Sequence, residues 1–412
     1  MMELPDWLDR YAVGNVLWYA KRLSGNDTLA NDSHQAGPYV PKDIIFSVVP
    51  SIDRRDIKNP DSWLDFYIDS HSDHVRARAV YYNNKYHGST AKSPRDEARF
   101  TNFGGIESAL LNPESTGAIS VFVFRRDDEG VAIDCHVWVC SSELEEEIVE
   151  DRVGPVEPGR YRVWTPGTVR DGDLFVQAAP RASCWLSNDE MPTNWLTKFP
   201  SGLEIVEKAV ALRPDNSLSP DNRILRRRDC EFDIFRSVEK AIELPNITAG
   251  FSSVDDFIVR AQTILQRRKA RSGRSLELHA RAIFIEENLV ENADFSHQPV
   301  SEPGKSPDFL FPSQSAYQDS SFPADQLRML AVKTTCRDRW RQILNEADRI
   351  PRKHLLTLQE GVSESQFREM TSAGVTLVVP DRLREKFPKP VRPHLQNLES
   401  FIGDVRSLAA RT

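Results

Sequence analysis

Three side chains in the C-terminal third of the chain have the types and spacing needed for metal-dependent hydrolysis of a phosphodiester. Asp308 follows a proline, Lys333 ends the segment LRMLAVK, and Glu346 lies further along the chain. Magnesium prefers oxygen ligands and takes one or two carboxylates beside water and phosphate oxygens. A bound cation lowers the pKa of an attacking water, and a lysine offsets the charge that develops. These residues therefore predict a magnesium site with Asp308 and Glu346 as ligands.

The triplet alone leaves a second interpretation open. A Pro-Asp turn, a surface lysine and a surface glutamate occur together in many proteins without any catalytic role. The common nuclease pattern also has a carboxylate two residues before the lysine, and that position is Ala331 here. Glu346 must then supply the second carboxylate from a later element.

Strands are expected to position the first two side chains. Asp308 opens the apolar segment PDFLF, so it would lie at the start of a strand. Lys333 would end a strand over 327–333, where alternation puts it on the same face as Met329 and Ala331. Both charged groups would then lie at strand ends.

A helix over 338–347 is expected to position Glu346. Its apolar stripe has four members, Trp340, Ile343, Leu344 and Ala347. Arg339, Gln342 and Glu346 would share the adjacent helix face. That face would hold a metal carboxylate and, nearer its start, an arginine able to contact DNA.

Residues 1–177 have a β-rich pattern. Apolar, β-branched runs at 117–125 and 131–140 flank a turn that ends in Gly130. Three shorter candidate strands lie at 46–49, 161–164 and 174–177. Many short strands separated by turn residues indicate a barrel or sandwich.

The rest of the chain has a different pattern. Residues 178–200 are rich in Pro, Ser and Asn and are predicted to form a linker. Residues 201–412 are predicted to alternate helices with strands, as in an α/β domain with a mixed sheet. Two helices are predicted on either side of the basic run 267–274, the second over 276–287. The first should bury an apolar stripe consisting of Val254, Phe257, Ile258, Ala261, Ile264 and Leu265. The basic run would be a turn that is either solvated or binds phosphates.

Composition excludes several classes of protein. The net charge is −8, which does not prevent a local basic surface from binding DNA. No apolar segment is long enough for a membrane helix, and the N-terminus has no apolar export signal. The 5 cysteines are scattered without CxxC spacing, which favours reduced thiols in the cytoplasm over disulfides or zinc. His71 and His74 also suggest zinc, but two loop histidines this close are more often incidental.

Longer segments resemble a known family over nearly the whole chain. KSPDFLFPS, RMLAVKTTCRDRWRQILNEADRI and HLLTLQEGVS are similar to the catalytic domain of the EcoRII restriction endonucleases, type IIE enzymes of the PD-(D/E)xK nuclease superfamily. KRLSGNDT, HQAG and PYVP near the N-terminus resemble the effector domain of that family, and PSGLEIVE, EFDIF and GFSSVDDFI resemble its connecting segments. The resemblance implies an N-terminal β pseudobarrel that binds DNA and a C-terminal α/β restriction-endonuclease-like domain.

The resemblance also assigns catalytic roles. Asp308 and Glu346 would bind Mg²⁺, and Lys333 would be the catalytic lysine. Glu346 would correspond to a glutamate that, in this branch of the nuclease superfamily, has moved from the strand to the following helix. Glu277, in SLELH, matches a further acidic residue near the metal, although a solvated helix carboxylate is the alternative.

Two further groups match residues that recognise bases in the catalytic domain. Arg337, Asp338 and Arg339 match the motif by which the family recognises G·C pairs, and arginine and carboxylate groups suit guanine and cytosine edges. A capping Asp338 between phosphate-binding arginines is the alternative. Arg228 and Phe232 are four residues apart and would hold a base flipped from the duplex, unless Phe232 is simply a core residue. The family has tyrosine where this chain has Phe232.

The effector domain of the family binds DNA through two loops. The matching residues here are His34, Gln35, Tyr39, Arg95, Glu97, Arg99 and Asn102. Mixed polar side chains on a β scaffold are suited to recognising base edges. Ala98 and Asn102 stand where the resemblance leads us to expect basic residues.

The resemblance implies a cytoplasmic homodimer that cuts double-stranded DNA at CCWGG. It would need two or more site copies, with the N-terminal domain inhibiting cleavage until it binds DNA. A cognate cytosine methyltransferase would act on the same site without binding this protein. Two other classes stay open: a DNA-binding protein that has lost cleavage, and a mismatch-repair nicking nuclease.

Overall fold

The computed structural model describes residues 2–31, 37–88, 93–165 and 184–409. The chain forms two compact units. The first consists of Met1–Gln177 with the short segments Glu360–Gln366 and Lys386–Pro390, and the second consists of the remaining residues. Most of the predicted linker falls in the described part, where Thr193–Leu196 form a 3-10 helix, while the candidate strand at 174–177 lies outside it.

The first unit is built on one seven-stranded sheet. Its strands are β1 Val16–Arg22, β2 Asp61–Ile68, β3 Asp73–Tyr82, β4 Glu97–Thr101, β5 Ile119–Arg126, β6 Ala132–Val139 and β7 Tyr161–Trp164, and its helices are α1 Leu4–Arg10, α2 Lys42–Val48 and α3 Glu143–Val153. The strand order is β4-β3-β2-β6-β5-β1-β7, with β2 and β6 parallel and the other pairs antiparallel. The sheet curls into a half-barrel, which confirms the predicted pseudobarrel.

The two longest apolar runs form the centre of this sheet. Strands β5 and β6 pair as the predicted hairpin. Phe122 and Phe124 pack into one core, while Val121 and Val123 pack on the opposite face. Both faces of β5 are thus buried, which explains its continuous apolar sequence.

The predicted strand at 46–49 is wrong. These residues belong largely to α2, which buries Ile45 and Val48 three positions apart on one face. Pro41 directly precedes the helix, where a missing N–H is tolerated. Helical spacing of the apolar pair therefore outweighs the β propensity of the segment.

The C-terminal part of the chain combines long helices with a mixed sheet. The helices are α4 Gly202–Leu212, α5 Pro220–Ala249, α6 Val254–Glu286, α7 Gln314–Gln318, α8 Glu364–Ser372, α9 Asp381–Arg384 and α10 Leu398–Ala409. The strands are β8 Ser296–His297, β9 Phe309–Phe311, β10 Arg328–Val332, β11 Lys353–Leu356 and β12 Val375–Val378. Their order is β12-β11-β10-β9-β8, with parallel pairing from β10 to β12 and antiparallel pairing from β8 to β10. The predicted α/β domain with a mixed sheet is confirmed.

Helix α6 corrects three predictions about residues 254–287. The segment is one helix of 33 residues, so the basic run 267–274 is not a turn. The first half of the stripe expected to be inward faces solvent, with Val254 73% and Phe257 52% exposed, and its second half is only half-buried. Arginines of α6 instead pair with glutamates of α5: Arg267–Glu243 at 2.8 Å, Arg268–Glu239 at 2.7 Å and Arg271–Glu231 at 2.6 Å. These ion pairs decide which side of α6 packs. They engage three of the four guanidinium groups in the basic run, while Arg274 is exposed.

The expectation that the cysteines form no disulfide is also wrong. Cys184 and Cys230 are joined by a disulfide, with their Cα atoms 5.0 Å apart. They are separated by 46 positions, and packing of the segment around Cys184 against α5 brings them together. Cys135, Cys140 and Cys336 are buried and form no disulfide. Among the described residues, no helix combines the length and apolarity needed to span a membrane.

Candidate active site and DNA-facing residues

Asp308 and Lys333 meet where β9 and β10 pair. Phe309 of β9 lies opposite Leu330 of β10, so Asp308 is level with the end of β10. Asp308 Oδ2 accepts a hydrogen bond of 2.7 Å from the Val332 amide and lies 3.6 Å from Lys333 Nζ. Strand register therefore holds the carboxylate and the ammonium side by side.

Glu346 reaches the site from a different kind of element than expected. Residues Arg339–Asn345 form a 3-10 helix rather than an α-helix, and Glu346 follows it in extended backbone. The predicted shared α-helical face of Arg339, Gln342 and Glu346 is therefore wrong. Residue Ala347 adopts a left-handed backbone with φ of 48°, which a helix cannot continue through.

The electrostatics of the site show that its charged groups interact. Burial, and next the nearby Asp308, raises the pKa of Glu346 to about 7 against the pull of Lys333. Burial also raises the pKa of Asp308, Lys333 opposes that rise, and Glu277 adds to it. Asp308 thus interacts with both Glu346 and Glu277, and Lys333 and Lys353 both oppose the rise in the pKa of Glu346.

The residues present fit a divalent cation. Glu346 Oε2 is buried and accepts no hydrogen bond in the described structure. A nearby cation would favour the ionised form of both carboxylates, whose pKa values are raised without one. Among the described residues, no three His, Cys, Asp or Glu side chains are grouped for metal binding. Two carboxylates, Asp308 and Glu346, are nevertheless the complement that magnesium commonly uses.

Glu277 is a structural part of this region and not a solvated carboxylate. It is only 6% exposed on α6. Its Oε1 accepts hydrogen bonds from His297 Nε2 and from Gln298 Nε2, the latter at 2.8 Å. Phe284 of the same helix packs against Phe309, with ring centroids 5.1 Å apart, and so fixes α6 against β9. Sequence reasoning missed His297 and Gln298, because only the pairing of the two-residue strand β8 with β9 brings them here.

Arg337 and Asp338 occupy the turn before the 3-10 helix, Arg339 is the first residue of that helix, and all three are half-buried. The buried Gln359 Oε1 accepts hydrogen bonds from the amides of Cys336 at 2.9 Å and Arg337 at 3.1 Å, which fixes the start of the turn. Asp338 makes no capping hydrogen bond with its side chain. The capping alternative therefore has no support in the structure.

Arg228 and Phe232 lie together on α5, where both are buried. The Arg271 guanidinium of α6 lies 4.9 Å from the centroid of the Phe232 ring. Arg228 Nη1 is 3.7 Å from Glu231 Oε2. In this conformation Phe232 belongs to the α5–α6 contact, and the Arg228 guanidinium lies beside Glu231 of its own helix.

The expected DNA-facing residues of the first unit are only partly described. His34 and Gln35 lie outside the described residues, while Tyr39 is 57% exposed. Tyr39 is anchored through its amide, which donates to Asp27 Oδ1 at 2.6 Å.

The second group lies at and beside β4, at the edge of the sheet. Arg99 Nη2 is 2.8 Å from Glu97 Oε2, and Arg95 Nε is 3.8 Å from Glu97 Oε1. Asn102 is exposed and has a left-handed backbone with φ of 69°. Arg95 and Arg99 thus both lie near the carboxylate of Glu97, and Asn102 lies just beyond the end of β4.

Comparison with known proteins agrees with these observations. The family model described as the N-terminal part of restriction endonuclease EcoRII matches residues 12–168, and the model of the EcoRII C terminus matches residues 235–402. The type II restriction enzyme EcoRII of Escherichia coli is 44% identical over 415 residues, which covers 100% of this chain and 99% of that protein.

Two solved structures are similar to parts of the chain. Metal-depleted Ecl18kI in complex with uncleaved, modified DNA has a TM-score of 0.43 and 17% identity, over 53% of this chain and 85% of that one. The UbaLAI restriction endonuclease B3 domain with cognate DNA has a TM-score of 0.28 and 20% identity, over 40% of this chain and 99% of that one. These TM-scores are too low to support a conclusion about this chain.

Proposed function

The chain belongs to the EcoRII family of type II restriction endonucleases, and we propose that it requires Mg²⁺ to cut double-stranded DNA at CCWGG. It would act as a type IIE enzyme: one site copy is cut in the catalytic domain while another is bound by the N-terminal domain. A palindromic target with one catalytic site per chain suits a two-fold homodimer. The cytoplasm, where a cognate cytosine methyltransferase would protect the same sites, is the expected location.

Asp308 and Glu346 are the proposed metal ligands, and bound Mg²⁺ would supply Lewis-acid activation of the water and the phosphate. Asp308 is held for this role by the Val332 amide. Lys333, whose ammonium lies beside Asp308, would stabilise the charge on the phosphate. Glu277 would act near the metal, with its orientation set by His297 and Gln298.

Recognition of the target would involve two groups in the catalytic domain. Arg337, Asp338 and Arg339 would contact G·C pairs from the turn before the 3-10 helix and from its first residue, supported by the Gln359 hydrogen bonds to that turn. Arg228 and Phe232 would hold the flipped central base. Because both side chains are buried in this conformation, this role requires them to become accessible to DNA.

Binding of the second DNA copy would involve the first unit. The proposed contacts are His34, Gln35, Tyr39, Arg95, Glu97, Arg99 and Asn102. The exposure of Tyr39 and of Asn102 supports this role, since both side chains are open to solvent beside a rigid sheet. The N-terminal domain would inhibit cleavage until that second copy is bound.

One observation carries the proposal: Asp308, Lys333 and the hydrogen-bond-free carboxylate oxygen of Glu346 lie in one interacting group. The test is to incubate an unmethylated plasmid that contains several CCWGG sites with the protein, in Mg²⁺ or in EDTA, and to sequence the ends. Double-strand cuts before the first C, only with Mg²⁺, are expected. Intact plasmid would instead identify a DNA-binding protein without cleavage, and random nicks would identify a nicking nuclease.

A further inference from the structure

We propose that Lys353 is a positioning residue that fixes Glu346 where it can bind the metal. The inference deepens the proposed function and rests on it. Lys353 is the first residue of β11 and is only 5% exposed. No step of the cleavage reaction described above uses this buried ammonium group.

The Lys353 ammonium binds the two backbone carbonyl groups on either side of the Cα atom of Ala347. Its Nζ donates hydrogen bonds to the carbonyl oxygens of Glu346 and of Ala347, the latter at 2.7 Å. Hydrogen bonds from a buried charged donor are among the stronger ones in proteins. They hold Ala347 in its left-handed backbone, which a residue with a Cβ adopts only under external constraint.

The two proposed metal ligands differ in how their side chains are held. The Asp308 carboxylate is fixed directly by the Val332 amide. Glu346 Oε2 has no hydrogen-bond partner in the described structure. The position of the Glu346 carboxylate therefore depends on its backbone. The Glu346 amide donates to the Ile343 carbonyl at 3.1 Å, and Lys353 binds the carbonyl side of the same residue.

A second lysine contacts the same segment in a weaker way. Lys305 Nζ lies 2.6 Å from Asp348 Oδ2, but the two side chains are 32% and 59% exposed. An exposed ion pair contributes little, because water and salt screen it. Lys305 is therefore a matched control: it is a lysine beside the same segment, but it binds an exposed side chain and not the backbone of Glu346.

The test compares full-length wild type, Lys353→Met and Lys305→Met. Methionine keeps the length of the side chain and removes the three N–H donors. Three quantities are measured: the Mg²⁺ concentration that gives half-maximal cleavage, the affinity for specific DNA in EDTA, and amide hydrogen exchange over residues 344–350 without metal.

For Lys353→Met we expect the half-saturating Mg²⁺ concentration to rise 10–100-fold, as when groups that orient metal ligands are removed. Exchange over 344–350 should become faster, and DNA affinity should stay near the wild-type value. Lys305→Met should change the Mg²⁺ requirement by less than about fivefold. A lower cleavage rate with an unchanged Mg²⁺ requirement would indicate a merely structural role and would overturn the inference.

Two further outcomes bear on the inference: a Lys353→Met variant that does not fold, and a wild type that does not cleave. If Lys353→Met does not fold, Lys353→Gln, whose shorter and neutral side chain cannot keep both hydrogen bonds, is judged by the same measurements. Wild-type values for both its Mg²⁺ requirement and its hydrogen exchange would overturn the inference. If wild type itself does not cleave with Mg²⁺, the proposed function fails, and the exchange measurement alone tests whether Lys353 holds the backbone of Glu346.

Discussion

Glu346→Gln should make the metal-free protein more stable at pH 8 while it abolishes cleavage. Burial, and next the proximity of Asp308, raises the pKa of Glu346 from 4.5 to about 7. The folded protein therefore holds this proton more tightly than the unfolded chain does. The stability associated with the group is complete below pH 4.5 and is lost as the pH rises through about 7.

The size of the effect follows from the two pKa values. The pKa difference between 4.5 and about 7, at about 1.4 kcal/mol for each pKa unit, corresponds to ~3.5 kcal/mol. The side chain is half-buried, so solvent screening reduces this to about 2 kcal/mol. Glutamine resembles the protonated acid in shape and remains neutral, so the variant should escape this loss at pH 8.

The assay is urea unfolding in EDTA at pH 4 and at pH 8. Glu346→Gln should match wild type at pH 4 and exceed it by about 2 kcal/mol at pH 8. Glu399→Gln, which changes an exposed glutamate, is the matched control and should show no such gap. Added Mg²⁺ should stabilise wild type more than the Glu346→Gln variant. Equal stabilities at pH 8, or a gap of the same size at both pH values, would refute the reasoning.

Two substitutions and one deletion test the proposed roles of Lys333, of Arg339 and of the N-terminal domain. Lys333→Ala should lower the cleavage rate by at least about 100-fold, because the ammonium group stabilises charge that develops during the reaction. Specific DNA binding in EDTA should stay intact, and loss of binding in a gel-shift assay would contradict this. Arg339→Ala should cost about 1–3 kcal/mol of discrimination at one G·C pair, measured by competition with duplexes altered at single positions, and equal losses for all sequences would indicate a phosphate contact instead. Deletion of residues 1–177 should yield a nuclease that cuts single-site plasmid, and a folded but inactive fragment would argue against inhibition by the N-terminal domain.

Local sequence determined several features correctly. The apolar runs that form β5 and β6 are long, β-branched and separated by a turn, so neighbouring residues alone specify the hairpin. Asp308 and Lys333 lie at strand ends, as the residues around each of them indicate. These features depend on interactions between residues close in the chain, which is why pattern alone identifies them.

Tertiary structure decided the features that local pattern predicted wrongly. The stripe that begins at Val254 has helical periodicity, but periodicity does not determine which face of a helix is buried. The arginine face of α6 packs against α5 because its guanidinium groups form ion pairs with α5 glutamates. The disulfide between Cys184 and Cys230 depends on a contact between distant segments, which cysteine spacing does not encode. Both errors arise because packing partners lie far away in sequence.

The candidate site divides in the same way. The candidate residues Asp308, Lys333 and Glu346 could be identified from the sequence. Because Ala331 stands where the common nuclease pattern has a carboxylate, the sequence also indicated that Glu346 must supply the second one. The backbone that carries Glu346 could not be identified in this way, because a 3-10 helix and a left-handed residue replace the expected α-helix. That local conformation is held by Lys353, whose side chain reaches Glu346 only after β11 has paired beside β10. Sequence thus determined which groups are available for the chemistry, and the long-range contacts of the sheet decided where the second carboxylate lies.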